Sequence, residues 1–356
     1  MRTLPFDRAK LERFEAKLLG ALNGAAIALM ASIGHRTGLF DVMSRLRPAS
    51  AAEIAAEAGL CPRYVREWLG AMVTGGLVEY GPADDSFALP PEHAQLLTRA
   101  ARPHNFAASC QWIPLLGGVE DRILECFERG GGVPQSAYAR FPGVMAEECD
   151  QAVVAELVEQ VLPLVPGLPA ALARGSDVLD LGNGNGRALN CLAAEFPRSR
   201  FTGCELSHEA AEAGRAEARE RNLGNVRFAH TDPAELGLRG QFDLVTAFYS
   251  LHEHPRPDRV LRAIAASLRP DGVFLMQDVA ATSHLADDAS LPLAPFLYTV
   301  SCLHTLTVSL AEGGMGLGAM AGSERARQML REAGFGRIDL HQLPHDPVSL
   351  YYVARK

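Results

Sequence analysis

Histidines and a glutamate at two places in the chain have side chains suited to acid–base chemistry. His252, Glu253 and His254 follow one another directly, and His304 lies in a separate apolar stretch. Because imidazole titrates near neutral pH, His252 is the first candidate for a general base that takes a proton from a nucleophile. Glu253 or His254 would orient that base or bind the acceptor, and His304 would be a second base or an acceptor contact. Two other interpretations stay open: His252 and Glu253 cap the next helix, or His304 is a core residue.

A glycine-rich turn after an apolar strand is the second candidate site. Val178–Leu181 is typical of a buried parallel strand, a helix is expected over Arg187–Phe196, and Gly182, Gly184 and Gly186 lie between them. Glycines allow a sharp turn and leave no side chain between the backbone and a ligand, while the helix start offers N–H groups. The pattern therefore predicts a ligand-binding loop.

Two acidic residues follow the next two predicted strands. Glu205 comes directly after the strand 200–204, and Asp232 follows the strand 226–229. A carboxylate after the second strand is suited to accept both hydroxyls of a ribose, and one after the third could hold an adenine amino group. The fourth strand, 242–247, leads to the His252 segment. This order of elements predicts an adenosine-binding α/β domain.

The glycine spacing excludes two common classes of nucleotide site. A dinucleotide fingerprint would need its third glycine at Arg187 or Leu189, and no Gly-Lys-Ser/Thr of a phosphate-binding loop follows. The pattern from Asp180 to Gly186 is Asp-x-Gly-x-Gly-x-Gly. It resembles motif I of the class I S-adenosylmethionine (SAM) methyltransferases.

Most of the chain is similar to a bacterial, mycobacterial-type family of SAM-dependent methyltransferases with a regulator-like winged-helix domain at the N-terminus. The matching segments are residues 127–134, 242–248, 296–304, 307–314 and 351–353. The resemblance implies an α/β fold: a Rossmann-like, seven-stranded class I methyltransferase domain preceded by an α-helical winged-helix domain. It also implies SAM as the cofactor. It does not identify the acceptor.

The residues expected to bind the cofactor follow the first four strands of the predicted sheet. Tyr249 would turn its aromatic face toward the positively charged sulfonium. The full set is Asp180, Gly182, Asn183, Gly184, Gly186, Glu205, Leu206, Asp232, Phe248 and Tyr249. On the acceptor side, the chain departs from the family's usual pattern at residues 249–254, 304–306 and 321. These departures predict a member with a different acceptor.

The predicted domains are a winged-helix domain (1–100), a helical connector (101–170) and the methyltransferase domain (171–356), with a lid insertion at about 280–320. The winged helix is predicted from two helices, at 51–58 and 63–74, and from a hairpin formed by 77–80 and 87–89. In the connector, four aromatic residues are either core residues or lining of the acceptor pocket: Trp112, Phe127, Tyr138 and Phe141.

The charges of the winged helix favour a scaffold over a DNA reader. Its second helix, which would enter the major groove in a regulator, offers only Arg63 and Arg66. The hairpin turn carries Asp84 and Asp85, which would repel phosphate. We therefore expect this domain to serve dimerisation and to cover the acceptor.

Composition limits the partners further. A net charge of −8 argues against nucleic acid, and seven dispersed cysteines predict reduced thiols and a cytoplasmic location. The uncharged segment Leu18–Gly34 is shorter than the ~20 residues of a membrane span and predicts a buried helix in a homodimer, with no membrane role. No metal is expected, because the histidines and acids at 252–254, 278 and 304 lack ligand spacing.

The sequence thus predicts SAM-dependent methyl transfer to a small-molecule acceptor, assisted by a histidine. The alternative from another class is a SAM-sensing transcriptional regulator whose methyltransferase domain has lost catalysis. Methylation of protein or nucleic acid is disfavoured by the acidic charge. Whether oxygen, nitrogen or sulfur is methylated stays open.

Overall fold

The computed structural model describes residues 6–102 and 104–356. The chain forms two compact units, Met1–Leu115 and Leu116–Lys356. The three-part division of the chain at residues 100 and 170 stays a prediction.

The first unit is helical, with one two-stranded hairpin. Its elements are α1 (Arg8–Thr37), α2 (Leu39–Met43), α3 (Ala51–Ala58), α4 (Pro62–Thr74), β1 (Glu79–Gly81), β2 (Ser86–Ala88), α5 (Pro91–Leu97), α6 (Phe106–Ser109) and α7 (Trp112–Gly117), which contains the boundary between the units.

Local sequence explains why the winged helix forms. At the start of α3, the Ser50 hydroxyl accepts the Glu53 N–H and the Glu53 carboxylate accepts the Ser50 N–H, a reciprocal capping box. Helix α4 begins at Pro62, a residue suited to the first helical position, and buries Val65, Trp68, Leu69 and Met72 along one face. Strands β1 and β2 pair antiparallel. The predicted winged helix is confirmed, with a hairpin shorter than expected.

Helix α1 is mostly exposed within its own unit. It is 30 residues long and buries only Ala31, Ser32, Gly34 and His35 there. Leu18, Leu19 and Leu22 are 54%, 57% and 68% exposed, so the uncharged run forms an apolar surface. That this surface is buried in a homodimer stays a prediction.

Two helical stretches among the described residues are long and apolar enough to cross a membrane, by length and composition alone. They are α1 and Ala294–Ala311. The argument from length against a membrane span therefore does not hold for α1, and the absence of a membrane role stays a prediction.

The second unit is an α/β domain. Its strands are β3 (Asp177–Leu181), β4 (Arg200–Glu205), β5 (Val226–His230), β6 (Phe242–Phe248), β7 (Leu268–Val279), β8 (Arg337–Leu343) and β9 (Asp346–Arg355). Its α-helices are α8 (Glu120–Arg129), α9 (Phe141–Ala152), α10 (Leu168–Arg174), α11 (Arg187–Glu195), α12 (His208–Glu220), α13 (Pro257–Ser267), α14 (Leu285–Asp288), α15 (Ala294–Val300), α16 (Leu306–Ala311) and α17 (Gly322–Glu332).

One seven-stranded sheet organises this unit, in the order β5-β4-β3-β6-β7-β9-β8. Strands β3 to β7 pair in parallel, and β9 runs antiparallel to both β7 and β8. Successive buried residues of β3 belong to different core clusters, Val178 to one and Leu179 to the other, so the sheet is covered on both faces. The strand order reverses between β3 and β6, where such sheets bind ligands at their carboxyl ends. The predicted seven-stranded fold is confirmed.

An insertion between β7 and α17 follows the last parallel strand. Helices α15 and α16 are joined by a π-helical turn, Ser301–Thr305, into one helical stretch. Residues 309–318 run from the end of α16 through four glycines, Gly313, Gly314, Gly316 and Gly318, and we call them the cover segment. Its Met315 N–H donates to the Pro255 carbonyl at 2.9 Å, so the insertion is anchored on the loop that follows β6.

Candidate functional site

The motif I loop, Gly182–Gly186, is tightly packed at both ends and open in the middle. Gly182, Gly184 and Gly186 have φ angles of 62°, 50° and 72°, a region that favours glycine. A Cβ on Gly182 would lie 2.4 Å from the Ser250 Cβ, and one on Gly186 would lie 2.5 Å from the Phe228 ring. A Cβ on Gly184 would have no described atom within 4 Å, apart from its own residue and its two chain neighbours. The loop therefore has the open backbone that a ligand cradle requires.

Glu205 is fixed against this loop. Its Oε2 accepts the Gly184 N–H at 2.8 Å, and its Oε1 accepts the Ser207 N–H at 3.0 Å. Burial raises the pKa of Glu205, although these N–H donors oppose the shift. A carboxylate oriented in this way by backbone donors fits the two hydroxyls of a ribose.

Asp180 supports the loop from within the sheet. It is 2% exposed, and its Oδ1 accepts the Thr246 hydroxyl at 2.7 Å, which ties the end of β3 to β6. Burial raises the pKa of Asp180 to about 7, and the nearby charge of Glu205 adds to the shift. Asn183 lies close by, since a Cβ on Gly203 would lie 2.7 Å from its Oδ1.

Asp232 begins the short 3₁₀ turn Pro233–Glu235. Its Oδ1 accepts the Ala234 N–H at 2.7 Å and lies 3.1 Å from the His254 Nε2. The side chain is 37% exposed. Asp232 therefore remains accessible beside the loop that carries the histidines.

The 3₁₀ turn Leu251–Glu253 brings His252 to Asp278, the penultimate residue of β7. The His252 Nδ1 lies 2.6 Å from the Asp278 Oδ1, and the imidazole is 4% exposed. Since an ionised carboxylate only accepts, this contact assigns the ring proton to Nδ1. Burial pulls the pKa of His252 down, but the charge and hydrogen bond of Asp278, helped by Glu253, outweigh it and raise the pKa.

Glu253 faces the insertion. Its Oε1 lies 3.5 Å from the Nδ1 of His304, which the π-helical turn holds fully buried. The His304 ring stacks on Phe141 at 4.1 Å between centroids and meets Tyr138 edge-on at 4.8 Å. Two consecutive residues, His252 and Glu253, thus each pair with a partner from a distant segment.

The remaining predicted cofactor residues differ in exposure. Tyr249 has a φ of 53°, packs with Val279, Ala281 and Ala319, and its hydroxyl is hydrogen-bonded to Ser349. Burial raises its pKa well above the ordinary value. Phe248 packs against the core, and Leu206 is 45% exposed.

Two sequence-based interpretations are corrected here. His252 and Glu253 do not cap the next helix, because α13 begins after Arg256 without a side-chain cap. Phe127 is 76% exposed and is therefore not a core residue, whereas Tyr138 and Phe141 lie against His304. Trp112 belongs to the first unit.

Asp278 is the partner of His252 that sequence reasoning missed. The available signal was an acid at the end of a predicted strand neighbouring the one that leads to His252. Among residues 6–102 and 104–356, no group of three or more His, Cys, Asp or Glu side chains could hold a metal ion.

In the winged helix, the exposed Arg66 of α4 is already paired. Its guanidinium donates to both carboxylate oxygens of Asp85 in the hairpin turn, at 2.8 and 2.9 Å. Tyr80 donates to the same carboxylate. Because the Arg66 guanidinium is paired with Asp85, its positive charge is already compensated, which disfavours contact with a DNA phosphate.

Comparison with known families agrees with both units. Residues 25–99 match a model described as the Rv2258c-like winged HTH domain, and residues 172–342 match a model described as a methyltransferase domain.

Curated relatives match parts of the chain. A fatty-acid O-methyltransferase of Mycolicibacterium smegmatis is 33% identical over 105 residues, 29% of this chain and 37% of that protein. A trans-aconitate 2-methyltransferase of Deinococcus radiodurans is 36% identical over 121 residues, 34% of this chain and 43% of that protein. The matches thus span roughly two-fifths of the length of these relatives.

Solved structures match over nearly the whole chain. The mitomycin 7-O-methyltransferase has a TM-score of 0.70 at 19% identity and covers 98% of this chain and 100% of its own. Human N-acetylserotonin methyltransferase in complex with SAM has a TM-score of 0.70 at 16% identity and covers 99% of each chain. At these identities the likeness shows the fold.

The second unit therefore has a methyltransferase domain with the class I α/β fold. In the chain, an Rv2258c-like winged helix-turn-helix domain precedes it.

Proposed function

We propose that this protein transfers the methyl group of SAM to a hydroxyl group of a small organic molecule, with His252 as the general base. The observation that carries the proposal is the buried His252–Asp278 pair. His252 is two residues from Ser250, which packs directly against Gly182 of the motif I loop. A base is therefore available next to the loop that the family uses for its cofactor.

The cofactor side uses three groups of residues. The motif I loop would hold the amino-acid end of SAM, Glu205 would accept hydrogen bonds from the ribose hydroxyls, and Asp232 would accept one from the adenine amino group. SAM supplies the methyl group and leaves as S-adenosylhomocysteine (SAH). The open space at Gly184 and the oriented carboxylate of Glu205 support this assignment.

Proton removal falls to the second nitrogen of His252. Because Nδ1 carries the proton that Asp278 accepts, Nε2 has the lone pair that can take a proton from the acceptor hydroxyl. The acceptor oxygen then forms its bond to the methyl carbon, and the carbon–sulfur bond breaks with its electron pair left on sulfur. Asp278 stabilises the imidazolium that results, and the raised pKa of His252 reflects this stabilisation.

His304 and Glu253 form the acceptor contact. The imidazole is held between Phe141, Tyr138 and the Glu253 carboxylate, so its orientation is fixed by aromatic packing and charge. It would touch the acceptor or serve as a second base. The names of structural neighbours, which include O-methyltransferases, support oxygen as the methylated atom.

A transfer assay tests the proposal. The protein is incubated with methyl-labelled SAM and a panel of phenols, alcohols, carboxylic acids, thiols and amines, and SAH release and labelled product are measured by mass spectrometry. Acceptor-dependent SAH release with a labelled hydroxyl compound is expected. SAH binding without transfer to any acceptor, together with salt-dependent binding to duplex DNA, would instead favour the SAM-sensing regulator.

Three further features belong to the same proposal. The protein acts as a homodimer, in which the apolar surface of α1 is the expected interface. It acts in the cytoplasm, because its dispersed cysteines suit a reducing compartment. It binds no nucleic acid, which the Arg66–Asp85 pair supports.

A further inference from the structure

His254 lies between the adenine side of the candidate site and the insertion. Its imidazole is 9% exposed. Nε2 lies 3.1 Å from the Asp232 Oδ1, and Nδ1 accepts the backbone N–H of Arg256 at 3.0 Å. Both ring nitrogens therefore have defined partners.

These partners determine the protonation state of the ring. A backbone N–H can only donate, so the Nδ1 of His254 must accept and carry no proton. In the neutral ring the proton then lies on Nε2, which donates to Asp232. Burial lowers the pKa of His254 and so favours this neutral form, although the charges of Asp232, Glu312 and Asp258 oppose the shift.

The backbone of the same loop holds the cover segment. The carbonyl of His254 accepts the Ser309 hydroxyl at 3.5 Å, and the carbonyl of Pro255 accepts the Met315 N–H at 2.9 Å. The fit is close, because a Cβ on Gly314 would lie 2.5 Å from the Pro255 Cα. A shift of residues 254–255 would therefore move the anchor of the cover segment.

We propose that His254 is a positioning residue that holds the Asp232 carboxylate for the adenine amino group and links occupancy of that site to the cover segment. Cofactor binding at Asp232 thereby steadies residues 309–318 over the acceptor side. This inference rests on the proposed function, since it takes Asp232 to contact adenine.

Two measurements on the full-length protein test this link. Calorimetry gives the affinity for SAH and for S-inosylhomocysteine, which lacks the adenine amino group. Hydrogen exchange of peptides covering residues 309–318, with and without SAH, reports on the cover segment. Wild type is expected to prefer SAH and to exchange more slowly in this segment when SAH is bound.

Replacement of His254 by two different amides separates its two contacts. His254→Asn keeps an acceptor for the Arg256 N–H but is too short to reach Asp232, so SAH affinity should fall about tenfold and the slowed exchange should disappear. His254→Gln extends its amide toward Asp232 and should retain more of both. The matched control is His284→Asn, which alters an exposed His–carboxylate pair with Glu324; it should behave as wild type.

Each outcome bears on a distinct part of the account. Failure of wild type to bind SAH would refute the proposed function itself. An unchanged SAH affinity in His254→Asn, or slowed exchange of residues 309–318 that persists in that variant, would overturn the inference. If His254→Asn does not fold, Asp232→Asn gives the test: it should lose both the preference for SAH and the slowed exchange, and retention of either would overturn the link.

Discussion

The cofactor side of the candidate site is made largely of backbone, whereas the acceptor side is made of side-chain pairs from distant segments. The motif I loop presents open backbone at Gly184, and Glu205 is held by two backbone N–H groups. On the other side, His252 pairs with Asp278 from β7 and Glu253 pairs with His304 from the insertion.

This difference indicates which properties can change independently. A backbone cradle depends only on the fold and on the glycines, so the same cradle can hold SAM whichever acceptor is methylated. Side-chain pairs can be replaced one by one without change to the sheet. We therefore expect changes on the acceptor side to alter turnover and leave SAH affinity intact, and changes on the cofactor side to alter binding first.

The largest effect should come from His252→Gln. Loss of a positioned general base should lower kcat by about 10²- to 10⁴-fold, because proton removal then depends on water. SAH affinity measured by calorimetry should stay within about twofold of wild type, since the side chain lies on the acceptor side. Kinetics of His284→Gln, an exposed histidine, provide the control. Equal losses of turnover and SAH affinity in His252→Gln would remove the distinction between the two sides.

Next in size is the contrast between two glycines of the motif I loop. Gly186→Ala should destabilise the fold by about 3 kcal/mol, because its Cβ would meet the Phe228 ring at 2.5 Å in addition to the cost of a positive φ. Gly184→Ala carries only the cost of its positive φ, about 1 kcal/mol, since its Cβ would point into open space.

Urea unfolding without cofactor measures both values, and Gly184→Ala is the matched control. Gly184→Ala should still weaken SAH binding, because the new methyl group occupies the cradle. Equal stability of the two variants would contradict the packing described for this loop.

Glu205→Gln should weaken SAH binding about 30-fold, through the loss of charge-assisted hydrogen bonds to the ribose. The amide keeps the size of the side chain, so the fold should be preserved. The control is Glu209→Gln, the same substitution at an exposed residue of α12, which should leave the SAH affinity measured by calorimetry unchanged. An unchanged affinity in Glu205→Gln would remove Glu205 from the cofactor site.

The smallest expected effect is on pH dependence. His252 must be neutral to accept a proton, so kcat/KM should fall as the pH decreases through its raised pKa. Asp278→Asn removes the charge that raises this pKa and leaves burial, which lowers it. The acidic limb of the profile should then move to lower pH, with a lower maximum rate. If the acidic limb does not move in Asp278→Asn, a group other than His252 is responsible for it.

Local patterns were sufficient to predict the fold and to place Glu205 beside the glycine loop, where we propose that the cofactor binds. The apolar run of β3, its glycines and the acid at Glu205 are close in sequence, and the physics that links them is local to strand ends and turns. The capping box at Ser50 and the proline at the start of α4 are local signals of the same kind, although the prediction of the winged helix did not use them.

The acceptor side depended on information that sequence spacing does not carry. Asp278 meets His252 only because β6 and β7 are neighbours in the sheet, and His304 meets Phe141 across more than a hundred residues. Composition also does not tell what covers α1. An uncharged run has the same composition in a core as on an apolar exposed face, and only the structure shows that this run is exposed within its own unit.

Titration of wild-type protein with SAH in a calorimeter tests the central claim most directly. The account predicts saturable binding to one site per chain, in the micromolar range, that is lost or strongly weakened in Glu205→Gln and retained in His252→Gln. Absence of SAH binding to folded wild-type protein would contradict it, and so would binding that Glu205→Gln leaves unchanged.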